Sequence, residues 1–123
     1  SVMSLSGGQR QRAFLSLALA QDAKTLLLDE PTTFLDIHYQ LQFLDLLKGL
    51  NKDQGLSIIT VIHDVNLAAR YCDRIALLKE GKLIALDSPR EVLTPNLMKE
   101  AFQVETCQIE TPIGLQMCTI KSY

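Results

Sequence analysis

Two apolar runs of this chain end abruptly in ionisable side chains. Residues 25–28 (TLLL) run into Asp29 and Glu30, and residues 57–62 (SIITVI) run into His63 and Asp64. An acidic pair beside a histidine can hold a divalent cation, orient a water and stabilise a phosphate. A third segment offers an anion site. Ser6, Gly7 and Gly8 precede an Ala/Leu-rich stretch and so stand at the start of an expected helix. Unbonded backbone N–H groups and the helix dipole favour phosphate there, and the two glycines let the backbone approach it closely. Anion cradle, metal-binding carboxylate, base and histidine together point to phosphoryl transfer to water.

Those groups need elements to position them. Ser6 is the candidate N-cap of a helix reaching about Gln21, with Gln9 three residues later. Residues 25–28 read as a strand, which Pro31 prevents from pairing further. Ile37, Leu41, Leu44 and Leu47 recur at helical spacing, so residues 37–50 are expected to form a helix whose end is bracketed by Gly49 and Gly55. The β-branched run 57–62 reads as a buried strand. Strand, helix, strand is a βαβ unit, so the two strands are expected to be parallel neighbours or near neighbours in an α/β fold. Ligands then bind beyond the carboxyl ends of the strands, where Asp29, Glu30 and His63 stand. Downstream, residues 65–71 read as a helix, and residues 74–79 and 82–87 as a hairpin turning at Glu80 and Gly81. Pro89 opens a last helix over residues 90–102, and residues 103–123 read as short strands or coil. His38 is expected on a helix surface, and Asp73, Arg74, Lys99 and Glu100 as surface charge.

Composition narrows the function classes. The net charge is −2, the pI about 5.6, and no basic stripe suggests a nucleic-acid partner. The longest apolar candidate, residues 13–20, is too short to span a bilayer and is interrupted by Ser16. Any membrane link is therefore expected through a protein partner or a surface contact. The start carries no secretory leader pattern. Cys72, Cys107 and Cys118 are widely spaced without a CxxC pair, which predicts reduced thiols rather than a disulfide framework or a zinc site.

The same residues, in order, resemble the ATP-binding subunits of ABC transporters. Leu5, Ser6, Gly7, Gly8 and Gln9 match that family's signature motif, and Arg10, Gln11 and Arg12 follow suitably. Leu26, Leu27, Leu28, Asp29, Glu30 and Pro31 resemble its Walker B strand with the catalytic glutamate. Thr33, Phe34, Leu35 and Asp36 stand where the family has its D-loop, and Thr60, Val61, Ile62, His63 and Asp64 look like its switch-histidine strand. The resemblance runs from about Ser4 to Phe102. It implies a partial P-loop NTPase fold over residues 1–123, with ATP and Mg²⁺ as ligands. It further implies that Asp29 holds Mg²⁺, Glu30 polarises the attacking water, His63 meets the γ-phosphate, and Asp36 couples the two sites of a dimer. Ser6, Gly7, Gly8 and Gln9 would meet ATP bound to the opposite subunit. The segment from Glu30 to His38 looks most like ATPases of iron-siderophore, haem or cobalamin importers. That implies a second ATPase subunit and transmembrane permease subunits as partners, with the chain on the cytoplasmic face of the cell membrane.

One departure is plain. A phosphate loop needs GxxxxGK followed by Ser or Thr. The only Gly-Lys pair is Gly81-Lys82, with Ala76 where the earlier glycine belongs and Leu83 in place of the hydroxyl. The chain is therefore expected to be the C-terminal half of such a subunit, inactive without an N-terminal half that carries the loop. Two other expectations stand beside this one: an inert half-domain that binds or self-associates, and an ABC ATPase serving a task other than transport.

Overall fold

The two apolar runs that end in acid and histidine do become strands, and the segment between them becomes the crossover helix. The computed structural model describes residues 15–16 and 22–123. Leu15 and Ser16 are helical. The rest of the helix expected over residues 6–21 lies outside the described residues, as do Ser6, Gly7, Gly8 and Gln9. Contacts divide the chain into two compact units, Ser1–Ile62 and His63–Tyr123.

In the first unit β1 (Thr25–Asp29) and β2 (Ser57–Val61) pair in parallel, from Thr25 opposite Ser57 to Asp29 opposite Val61. The helix α1 (Ile37–Gln54) crosses between them. Asp36 caps its start by accepting from the Tyr39 N–H at 3.2 Å. Its end is set by Gly55, at φ 67°. The helix therefore runs past the expected stop near residue 50. Gly49 is carried inside it at the usual cost of about 1 kcal/mol relative to alanine, and the chain turns only where a left-handed residue stands. Phe43, Leu44 and Leu47 are buried on α1, alongside Leu26 and Leu56. Ile37 shares their spacing but lies in the first turn, beside the loop rather than over the strands, and is exposed.

The strand β2 is not buried on both faces as its composition predicts. Leu27 and Ile59 are register partners on one face and are 75% and 63% exposed. Among the described residues of this unit, no element covers that face.

The second unit begins with α2 (Val65–Tyr71), capped by Asp64, whose carboxylate accepts from the N–H groups of Asn66 and Leu67 at 2.9 and 3.1 Å. A hairpin follows, β3 (Ile75–Lys79) and β4 (Lys82–Asp87). Its turn residues Glu80 and Gly81 both have positive φ, 50° and 76°, as a type I′ turn requires. The expected single helix over 90–102 is two helices, α3 (Pro89–Val92) and α4 (Pro95–Phe102). Pro95 lacks an N–H and would clash inside a continuous helix, so it sits at a new first turn. Thr94 caps that turn through the Leu97 N–H at 3.2 Å. The tail forms a long antiparallel hairpin, β5 (Val104–Thr111) and β6 (Gly114–Ser122), with a register shift at Glu105/Thr106.

These pieces enclose a core of Leu77, Val92, Leu93, Met98 and Met117, with Val65, Ala69, Ile75, Ile84 and Val104 packed against it. Two amides tie backbone to that core. Asn66 donates to the Met117 carbonyl at 3.1 Å and accepts from the Met117 N–H at 2.7 Å, binding α2 to the outer side of β6. Gln108 donates to the Leu93 carbonyl at 2.7 Å, where α3 gives way to α4.

Candidate functional site

The acidic pair sits where the parallel strands end. Asp29 is the last residue of β1 and is exposed, opposite Val61. Glu30 carries the ladder one step further, its N–H donating to the Val61 carbonyl at 3.0 Å. Its backbone then turns sharply, at φ 47°. A non-glycine residue in that region costs on the order of 1–3 kcal/mol and persists only where its surroundings fix it. The next residues supply that fixing. The Thr33 N–H donates to the Glu30 carbonyl at 3.3 Å, and the Leu35 N–H to the Thr32 carbonyl at 3.1 Å. From α1, the Gln40 amide donates to the Thr32 carbonyl at 3.1 Å. Pro31 and Thr32 are buried beneath this turn, while Phe34 at its tip is 99% exposed. Asp36 closes the loop as the cap of α1 and is itself exposed.

One strand–loop–helix segment thus carries Asp29, Glu30 and Asp36. His63 follows the end of β2 and is exposed, but it belongs to the second unit. Ser6, Gly7, Gly8 and Gln9 lie outside the described residues. Gln40 is a positioning residue that sequence reasoning missed. An amide in the first turns of a helix carries no signal until the loop it ties down is known.

Among the described residues no group of three or more His, Cys, Asp or Glu side chains gathers to hold a metal. Mg²⁺ at phosphate sites does not call for such a group. There the ion keeps several waters and takes one or two carboxylates together with phosphate oxygens, rather than an all-protein cage. An exposed aspartate at a strand end, followed by a glutamate, fits that pattern.

A parallel strand pair, a crossover helix and an acidic pair at the end of β1 make one βαβ unit of an α/β domain, and similar proteins say which class of domain it is. The ABC transporter family model matches residues 1–33. The chain is 43% identical over 114 residues to the ferric enterobactin transport ATP-binding protein of Escherichia coli (strain K12), covering 93% of this chain and 42% of that protein. It is 48% identical over 111 residues to the iron(3+)-hydroxamate import ATP-binding protein of Bacillus subtilis (strain 168), covering 90% of this chain and 41% of that protein. Among solved structures, an inward-facing metal-chelate type ABC transporter superimposes over 100% of this chain and 49% of its own, with TM-score 0.85 and 28% identity. A dimeric ATP-binding cassette bound to ADP and Pi covers 70% of this chain and 37% of its own, with TM-score 0.60 and 40% identity. Over most of its own length the chain is similar to ATP-binding proteins of ABC transporters. It spans about two fifths of the length of the curated relatives it matches.

Proposed function

We propose that this chain is part of an ATP-hydrolysing subunit that powers an importer, with an iron-siderophore or cobalamin as its cargo. The observation that carries the reading is the backbone of Glu30. It is held in a left-handed conformation immediately beyond β1 and pinned on both sides by hydrogen bonds. A glutamate whose backbone is held at the carboxyl end of a parallel strand would present its carboxylate where ligands of such sheets bind, and there it would accept a proton from a water attacking a phosphate. Asp29, one residue earlier, would hold Mg²⁺, which neutralises charge on the phosphates when bound. Asp36 would relay between paired sites, and His63 would contact the terminal phosphate. Ser6, Gly7, Gly8 and Gln9 would meet ATP on a second subunit.

The cargo reading rests on relatives described as importing ferric enterobactin, ferric hydroxamates and, in Halobacterium salinarum at 46% identity, cobalamin. Partners follow from the same reading: a second ATPase subunit, transmembrane permease subunits, and a protein segment carrying the phosphate loop that this sequence lacks. No described helix is long and apolar enough to cross a membrane. Attachment to the cytoplasmic face would therefore run through the permease.

The test is phosphate release from Mg-ATP, measured for the chain alone and after joining it to the phosphate-loop half of a relative. The expected result is no release alone and turnover when joined. Glu30→Gln should then lower turnover by about 10²–10⁴-fold, the range for loss of a positioned base. Equal turnover in Glu30→Gln removes that role from Glu30.

A second reading, a half-domain that associates without turning over ATP, draws on the exposed Leu27–Ile59 face. Unchanged self-association and no turnover after the phosphate-loop half is joined would favour it.

A further inference from the structure

The hairpin of β5 and β6 places two thiols opposite each other. Cys107 and Cys118 are register partners on antiparallel strands, so both side chains stand on the same face. Neither is in a disulfide; Cys107 is half-buried and Cys118 exposed. Nothing in the spacing marks them as a pair, because ten residues separate them and no CxxC motif is present.

The hydrogen-bond pattern says what kind of pair this is. Met117 spends both its N–H and its carbonyl on Asn66, away from β5. Its register partner is Gln108, so Gln108 and Met117 form a pair without mutual backbone hydrogen bonds. Pairs alternate along an antiparallel ladder, which makes Cys107 and Cys118 the hydrogen-bonded kind. Such pairs have Cα atoms about 5.5 Å apart, inside the range of about 4.4–6.8 Å that a disulfide spans. Opposed Cβ atoms on strands lie about 4.5–5.5 Å apart, whereas a disulfide draws them to about 3.5–4.5 Å. Hydrogen-bonded pairs sit toward the wider end of the strand range, so closure asks the strands to move together by about 1 Å or more. The register shift at Glu105/Thr106, two residues from Cys107, is a point where the ladder is already irregular and can yield. A bond closed under such tension is easily reduced again.

We infer that Cys107 and Cys118 are a cross-strand dithiol that closes reversibly to a disulfide when a small disulfide oxidant, of the class of oxidised glutathione, reaches it. The exposed Cys118, as thiolate, attacks one sulfur of the oxidant. The oxidant's S–S bond breaks, and one glutathione leaves as a thiol. Cys107, as thiolate, then attacks the Cys118 sulfur of the mixed disulfide, and the second glutathione leaves as a thiol. Two cysteine sulfurs are oxidised, two glutathione sulfurs are reduced, and the two cysteine protons finish on the glutathione thiols.

The experiment is incubation of the chain with oxidised glutathione, then acid quenching, intact mass and non-reducing peptide mapping. The expected product is two hydrogens lighter than the starting chain, with Cys107 and Cys118 cross-linked and reversed by a dithiol reductant. Cys72→Ser should give the same cross-link. Cys118→Ser and Cys107→Ser should each give a stable glutathione adduct on the remaining member of the pair, or none, but no internal cross-link. Hydrogen exchange of β5 and β6 in each variant checks that the hairpin is intact. Stable adducts on both Cys107 and Cys118, thiols that stay unmodified, or a bond from either to Cys72 or to a second chain would each overturn the inference.

Discussion

At the scale of single residues, Glu30 carries two separable properties. Its side chain supplies the proposed base, and its backbone occupies a region that costs an L-residue about 1–2 kcal/mol. Glycine meets no Cβ penalty there but loses more conformational freedom on folding. Glu30→Gly should therefore leave stability to urea unchanged or raise it by up to about 1 kcal/mol, while abolishing turnover in the joined protein. A loss of stability well beyond that would mean that the side chain, not the turn, holds the loop. Asp36 separates in a similar way. Asp36→Ala should cost about 0.5–2 kcal/mol by removing the cap of α1, whereas Asp36→Asn keeps a capping oxygen and should cost far less. If Asp36 also serves paired sites, Asp36→Asn should lower turnover with the urea midpoint nearly unmoved. The acidic pair was legible in sequence because an apolar run ending in two carboxylates is unusual. Its left-handed turn was not, since glutamate gives no sign of adopting one.

At the scale of elements, legibility depended on where the determining interaction lies. The strands β1 and β2 and the crossover between them follow from local pattern, and so does the hairpin turn at Glu80 and Gly81. The division of α3 from α4 was also written locally, in Thr94 followed by Pro95, but the earlier Pro89 suggests a single start and masks the second one. The β5–β6 hairpin was hidden because its pairing is fixed by distant partners. Asn66 bonds Met117 across fifty-one positions of sequence, and Gln108 reaches Leu93. Asn66→Ala should strip the Met117 N–H and carbonyl of their partners together, costing about 1–3 kcal/mol in thermal or urea unfolding. A change of a few tenths would show that water replaces the amide without loss. Glu80→Asn should act in the other direction. Asparagine before glycine suits a type I′ turn and tolerates positive φ better than glutamate, so the unfolding midpoint of the second unit should rise.

At the scale of the whole molecule, the two units are unequally provided for. The second encloses its own core, with Val92 and Met98 fully buried, and its longest strands pair over eight register positions. The first, among its described residues, has one two-stranded parallel sheet. Its Leu27 and Ile59 face water, and Phe34 and Ile37 stand exposed at the loop and the start of α1. Isolated two-stranded sheets are marginal in water, and parallel pairs normally occur with both faces covered. Backbone amides of β1 and β2 should therefore exchange with deuterium well before those of β5 and β6, and the chain should bind a dye that reports exposed apolar surface. Joining the phosphate-loop half of a relative should slow exchange in β1 and β2, reduce dye binding and leave β5 and β6 unchanged. That outcome would show that the uncovered face is where the rest of an ATP-binding domain packs. Exchange as slow in β1 and β2 as in the tail hairpin, with no response to the added half, would mean that the first unit is stable as it stands and that its apolar face serves some other contact.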